Sequence, residues 1–143
     1  MRRILAPRVF LDTNVLISAF WGSENCGKII FAHRDEIIKA VISHQVLEEC
    51  YRNIQKKFPH AVTDFTKMFT SYPPLIVKDP DKINSRIVNL VETKDQLIFY
   101  SAMTAKVNYF VTGNIKDFSV SKLEKLTGIR IVTPKQLVVI LKL

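Results

Sequence analysis

Acidic residues stand at four places where the chain changes from one kind of element to the next. Asp12 follows the apolar run Val9-Phe10-Leu11. Glu48 and Glu49 lie early in the helix after a second apolar run. Asp95 opens a later helix, and Asp117 follows the run Tyr109-Phe110-Val111-Thr112. Carboxylates brought together repel one another, and each costs free energy unless a cation neutralises it. An all-oxygen ligand set suits Mg2+ or Mn2+. Such an ion, keeping several waters in a basic surround, suits phosphoryl chemistry on nucleic acid. Asp12 has a plainer role open to it as well. Asp, Thr and Asn are all good helix caps, and Asp12-Thr13-Asn14 precedes a helical run from Val15. On this stretch alone the two roles weigh equally.

The elements that would have to gather these residues are legible in the hydrophobic pattern. Strand and helix signals alternate along the chain, which argues for βαβ units around a parallel sheet. Val9 to Leu11 is apolar enough for a strand buried on both faces. A helix is expected over Val15 to Phe20, a polar turn over Gly22 to Gly27, and more helix over Lys28 to His33. Ile37 to Ile42 reads as the second strand. Ser43 then caps a helix whose core face carries Leu47, Cys50, Tyr51, Ile54 and Phe58, and Pro59 stops it. Val62, Phe65, Met68 and Phe69 mark another helix. Leu75 to Val77 is a short strand, and Asp79-Pro80-Asp81 turns into a helical stretch reaching about Leu90. Asp95 begins a helix with Ile98, Ser101, Ala102 and Ala105 inside. Tyr109 to Thr112 and Ile129 to Val132 are the last strands, and Pro134 opens the final helix. The expected fold is an α/β three-layer sandwich, with a central parallel sheet of four to five strands flanked by helices. In such sheets ligands bind beyond the strands' carboxyl ends. All four acidic positions map to that edge.

Composition narrows the function. Twenty-one Lys and Arg against 13 Asp and Glu give a formal charge of +8, and a basic domain suggests a polyanionic partner, nucleic acid first. The charges are spread, from Arg2, Arg3 and Arg8 through Lys56, Lys57, Lys94, Lys106 and Lys116 to Lys135, with no tail-like block. No apolar run is long enough to span a membrane. The apolar stretch Ile4-Leu5-Ala6, ended by Pro7, is too short for a signal peptide. Cys26 and Cys50 lack metal-like spacing and read as buried free thiols of a cytoplasmic protein. Residues 1–143 read as a single domain.

Several motifs carry a resemblance. Phe10-Leu11-Asp12-Thr13-Asn14-Val15-Leu16 resembles the opening motif of the PIN-domain family, metal-dependent ribonucleases that include the VapC-type toxins of toxin–antitoxin pairs. Ser43 to Cys50 is similar to the second motif, with Glu49 at its acidic position. Thr93-Lys94-Asp95-Gln96 is similar to the third. Phe110 to Phe118 is similar to the fourth, in its variant form with Asn after Gly. Ile129 to Pro134 resembles the closing strand and helix. The resemblance covers nearly the whole chain. It implies a metal-dependent endoribonuclease with Mg2+ or Mn2+ held mainly by Asp12 and Asp95. Glu49 and Asp117 complete the catalytic set by binding a second ion or orienting water. Asn14, Thr112 and Asn114 would support these carboxylates from behind, and Lys116 would contact RNA. An antitoxin and a homodimer are implied partners. Two departures stand out. Asn114 replaces a frequent Asp, which lowers the site's charge, and Gln96 follows Asp95 where Asn or Asp is common.

The residues leave some alternatives open. Counted from Leu47, Cys50, Tyr51, Ile54 and Phe58, Glu49 points nearly opposite the core and Glu48 sideways, so periodicity favours a solvated face at least equally for both. Only the resemblance selects Glu49. Thr13 and Asn14 suit helix capping and support of Asp12 alike. Thr112 reads as pocket lining. His33, His44 and His60 have no zinc-like spacing and read as surface or capping residues, and Phe20 and Trp21 read as core cover. Asp-x-Asp phosphatases are excluded because Asn14 stands at the second position, and a P-loop is excluded because no Gly-Lys-Ser or Gly-Lys-Thr occurs. A second class stays open: a PIN-like module that binds RNA or protein without cutting, with Asn114 its supporting feature.

Overall fold

The computed structural model describes residues 5–83 and 85–143. Arg2, Arg3 and the Met1 to Ile4 start weighed above lie outside the described residues. Strands β1 (Arg8–Leu11), β2 (Lys39–Ser43), β3 (Leu75–Val77), β4 (Tyr109–Val111) and β5 (Arg130–Val132) form one parallel sheet in the order β3-β2-β1-β4-β5. Val9 pairs with Ala40 on one side and Tyr109 on the other. Helices α1 (Thr13–Phe20), α2 (Glu24–Arg34), α3 (His44–Lys57), α4 (Val62–Ser71), α5 (Gln96–Thr104), α6 (Val120–Thr127) and α7 (Pro134–Leu141) flank the sheet in an α/β sandwich. The expected architecture is therefore present, with five strands.

The middle strand shows why. Val9, Phe10 and Leu11 are essentially without exposure, and the rings of Phe10 and Phe110 stack at 5.4 Å across neighbouring strands. A strand covered on both faces has no use for polar alternation, so the apolar run both marks β1 and ends it where Asp12 begins.

Three local expectations are corrected. The polar stretch Gly22 to Gly27 is mostly helix, because the Ser23 hydroxyl caps the Cys26 amide and Cys26, Ile29 and Ile30 form an inward stripe. The turn shrinks to Trp21-Gly22, where Gly22 takes φ +88. β2 starts at Lys39, because Ile37 instead closes the end of α2 through its amide to the Ala32 carbonyl. Among the described residues of 78–90 the one helical element is a short 3-10 turn, Ser85–Ile87. Ile87 is the one buried side chain among the described residues there, and a single anchor does not make a helical stripe. α6 has a single buried residue, Leu123, too few to mark it by a hydrophobic stripe in the sequence.

Trp21 is not core cover. It is 60% exposed, set edge-on against Phe58, while Phe20 packs against Phe65. His33 departs the other way and is buried. Its Nδ1 accepts the Ala40 amide at 3.1 Å, which leaves Nε2 to donate to the Tyr72 carbonyl at 2.9 Å. One ring thus ties α2 to β2 and to the end of α4. His33→Ala should strand a buried amide and a carbonyl, at a cost of about 2 kcal/mol or more. Urea unfolding measures this, and an unchanged midpoint would refute it.

Candidate functional site

The sheet order reverses between β1 and β4. The chain steps from β1 through β2 to β3 on one side, then places β4 and β5 on the other. A crevice opens at such a reversal, beyond the strands' carboxyl ends. Asp12 and Thr112 face each other there.

Asp12 is buried yet well supplied with donors. Its Oδ1 accepts the Thr13 amide at 2.8 Å. Its Oδ2 accepts the Thr112 hydroxyl at 2.9 Å and the Asn14 amide at 3.3 Å. Asp12 is also the cap of α1, so capping and pocket roles coexist in one side chain. Burial pushes its carboxyl above the usual range. The hydrogen bonds from Thr112, Thr13 and Asn14 pull it back, and the charge on Glu49 pushes it up again.

Asn14 links the two loops of the crevice, because its Oδ1 accepts the Gly113 amide at 3.0 Å. A Cβ at Gly113 would stand 3.2 Å from that oxygen, so glycine permits the close approach. Thr112 is fully buried, and its hydroxyl also accepts the Asn114 amide at 3.1 Å. Asn114 therefore acts here through its backbone, and its side chain is exposed.

Glu49 is brought to the crevice, while Glu48 points to solvent. Its Oε2 accepts the Thr13 hydroxyl at 2.7 Å and its Oε1 accepts the Gln45 amide at 3.0 Å. The helix pattern misplaced it because the buried stripe of α3 is Val46, Cys50 and Ile54, with Leu47 and Tyr51 only at its margin. Rotating the core face that way turns Glu48 outward and brings Glu49 to the edge. Burial, then Glu49 and then Asp12 push up the Cys50 thiol, which donates to the Thr13 carbonyl.

Asp95 and Asp117 complete the acidic lining. Asp95 Oδ2 is buried with no hydrogen-bond partner. Its carboxyl is pushed up to about 6, chiefly by burial and then by the charge on Asp12, with Asp117 adding to the shift and Lys94 opposing it. Asp117 Oδ2 lies 3.3 Å from the Lys94 ammonium. Lys116 is exposed and lines a groove of about 270 Å3 with Glu92, Thr93 and Asp117.

Three contributors escaped the sequence reading. Gln45 supports Glu49 from one helical turn away, a spacing that could have flagged it. Asp79 accepts the Gln45 backbone amide at 3.1 Å from beyond β3, and Lys94 reaches Asp117. Neither contact has a local signal, since both depend on which loops the sheet brings together.

Among the described residues no three His, Cys, Asp or Glu side chains form a ready-made metal cage. The donor set nevertheless fits a hard cation. Mg2+ keeps most of its waters and takes only one or two carboxylates from the protein. A buried carboxylate oxygen without a donor is costly, and a proton or a cation relieves that cost.

The family model for the PIN domain matches residues 8–116. The chain belongs to the PIN-domain family. Among curated protein sequences none matches it. Its fold is similar to that of VapBC2 from Rickettsia felis, solved bound to a DNA fragment from its promoter, at 17% identity and TM-score 0.62. That match covers 88% of this chain and 98% of the other. It is also similar to a toxin–antitoxin complex from Klebsiella pneumoniae, at 24% identity and TM-score 0.62, covering 88% and 97%. DNA-bound VapBC from Salmonella typhimurium matches at 20% identity and TM-score 0.62, covering 90% and 98%. At these identities the likeness is one of fold.

Proposed function

We propose that this chain, as one PIN-like domain over residues 1–143, is a divalent-metal-dependent endoribonuclease and the toxin of a toxin–antitoxin pair. The observation that carries the reading is the partnerless, buried Asp95 Oδ2, set where the charges of Asp12 and Asp117 act on it. Asp12 and Asp95 would hold Mg2+ or Mn2+. When bound, that ion would acidify a water and offset charge on the leaving oxygen. Thr13, Asn14 and Thr112 fix the Asp12 carboxylate in one orientation, as supporting partners of metal ligands do. Glu49 and Asp117 flank the crevice and would orient water. Lys116 on the rim would meet the RNA backbone, within a surface whose net charge is +8.

The toxin assignment draws support from fold neighbours that are themselves toxin–antitoxin complexes. An antitoxin partner, a homodimer and action in the cytoplasm belong to the same proposal. Among the described residues no helix is long and apolar enough to cross a membrane, and both cysteines are free and buried. The exposed Asn114 side chain favours one rival, a PIN-like module that binds RNA or protein without cutting. Incubating the purified chain with RNA and Mn2+ separates the two. Cleavage that chelation abolishes supports the nuclease, and intact RNA supports the rival.

A further inference from the structure

The carboxylates of the crevice are not equally available to a cation. Glu49 is held in place at both oxygens, one accepting the Thr13 hydroxyl and the other the Gln45 amide, as Asp12 is held by its three donors. Asp117 is paired with Lys94 at 3.3 Å. Its side chain is only 14% exposed, whereas that of Lys94 is 68% exposed, so the ammonium reaches inward from the rim to a largely covered acid. Asp117, then Asp95, then Glu92 all act on that ammonium. Asn114 adds no carboxylate beside them. Among the described residues Asp117 is thus the one crevice acid whose charge an ammonium already meets, while Asp12 and Asp95 form no ion pair.

Two-ion hydrolases hold their metals about 3.5–4 Å apart, with acids enough for both. Here the second position would fall against Asp117, where a positive charge already stands. A lysine ammonium is a compact point charge, and it repels a neighbouring divalent ion while neutralising its ligand.

We propose that the crevice takes one divalent ion per chain, and that Lys94 supplies the second positive charge while holding Asp117 in position. This rests on the reading of the crevice as a metal site. Lys94 is then a positioning residue, and its role is read from metal stoichiometry rather than from cleavage.

The test is Mn2+ binding to the whole chain near pH 7.5, by calorimetric titration and by native mass spectrometry. The wild type binds one ion. Lys94→Met exposes Asp117 and binds two, the second more weakly. Lys94→Arg keeps the charge and binds one. Both variants melt close to the wild type without Mn2+, since the Lys94 ammonium they change is itself largely exposed. Two ions in the wild type overturn the proposal, as does Lys94→Met that still binds one. No ion in the wild type overturns the metal reading itself, a different failure from either of these.

Discussion

Asp12→Asn abolishes RNA cleavage in Mn2+ and leaves the chain folded, with little change in stability. The expected loss is about a thousandfold or greater, equivalent to about 4 kcal/mol of activation barrier. Asp12 is the one acid that three donors converge on, through Thr13, Asn14 and Thr112. An amide keeps the shape and the Thr13 bond but gives up the charge that would hold a cation. The same substitution relieves a carboxylate that burial disfavours but takes an acceptor from the Thr112 hydroxyl and the Asn14 amide, so the metal-free melting temperature changes little. Active sites commonly carry such a stability cost. A paired measurement of cleavage and melting checks both halves. A variant that still cuts sinks the enzyme reading. A variant that merely unfolds sinks the claim that the relieved charge offsets the lost hydrogen bonds.

Stabilisation by Mn2+ grows from pH 5 to pH 7 and then levels off. Asp95 sets this range, because its carboxyl is pushed up to about 6 by burial first and by the Asp12 charge second. An unfolded chain releases the same proton near pH 4. Between those values the folded chain keeps a proton that the unfolded chain has lost. Stability without metal therefore falls as pH rises from about 4 to about 6, and the Asp95 contribution is flat above that. The cation needs the carboxylate. One unit below the folded value, about a tenth of the chains are deprotonated, so apparent affinity falls about tenfold. Melting temperatures with and without Mn2+ at pH 5, 6, 7 and 8 read this directly. Asp95→Asn flattens both the metal-free decline and the metal-dependent rise. An equal Mn2+ shift at pH 5 and pH 7 in the wild type removes Asp95 from the site.

How much of this was visible in the residues depends on how local each signal is. β1 and the Asp12 position were plain, because an apolar run ending in a carboxylate is a local pattern. Ser43 and Pro134 were plain for the same reason, as both mark helix starts. Glu49 was not, because α3 has two apolar margins and the sequence cannot say which one the sheet covers. Gly27 misled by its type, since glycine inside a helix costs only about 1 kcal/mol and the buried Ile29 and Ile30 offset that. His33 misled by its polarity, because only the assembled fold shows the amide and carbonyl waiting for its ring. Lys94 and Asp79 act across loops, and no spacing along the chain announces them.

The Thr112 hydroxyl that steadies Asp12 arrives 100 positions after it. A ribosome making this protein has therefore emitted most of the polypeptide before the pocket can assemble. The segments near the start leave the ribosome first, and they carry Asp12 and Glu49 with no partner strand to close the crevice. On the proposed nuclease reading, the growing chain would leave nearby RNA intact until β4 emerges and docks. A fragment ending before Tyr109 should leave RNA intact at any Mn2+ concentration, and cleavage by that fragment would place the chemistry elsewhere.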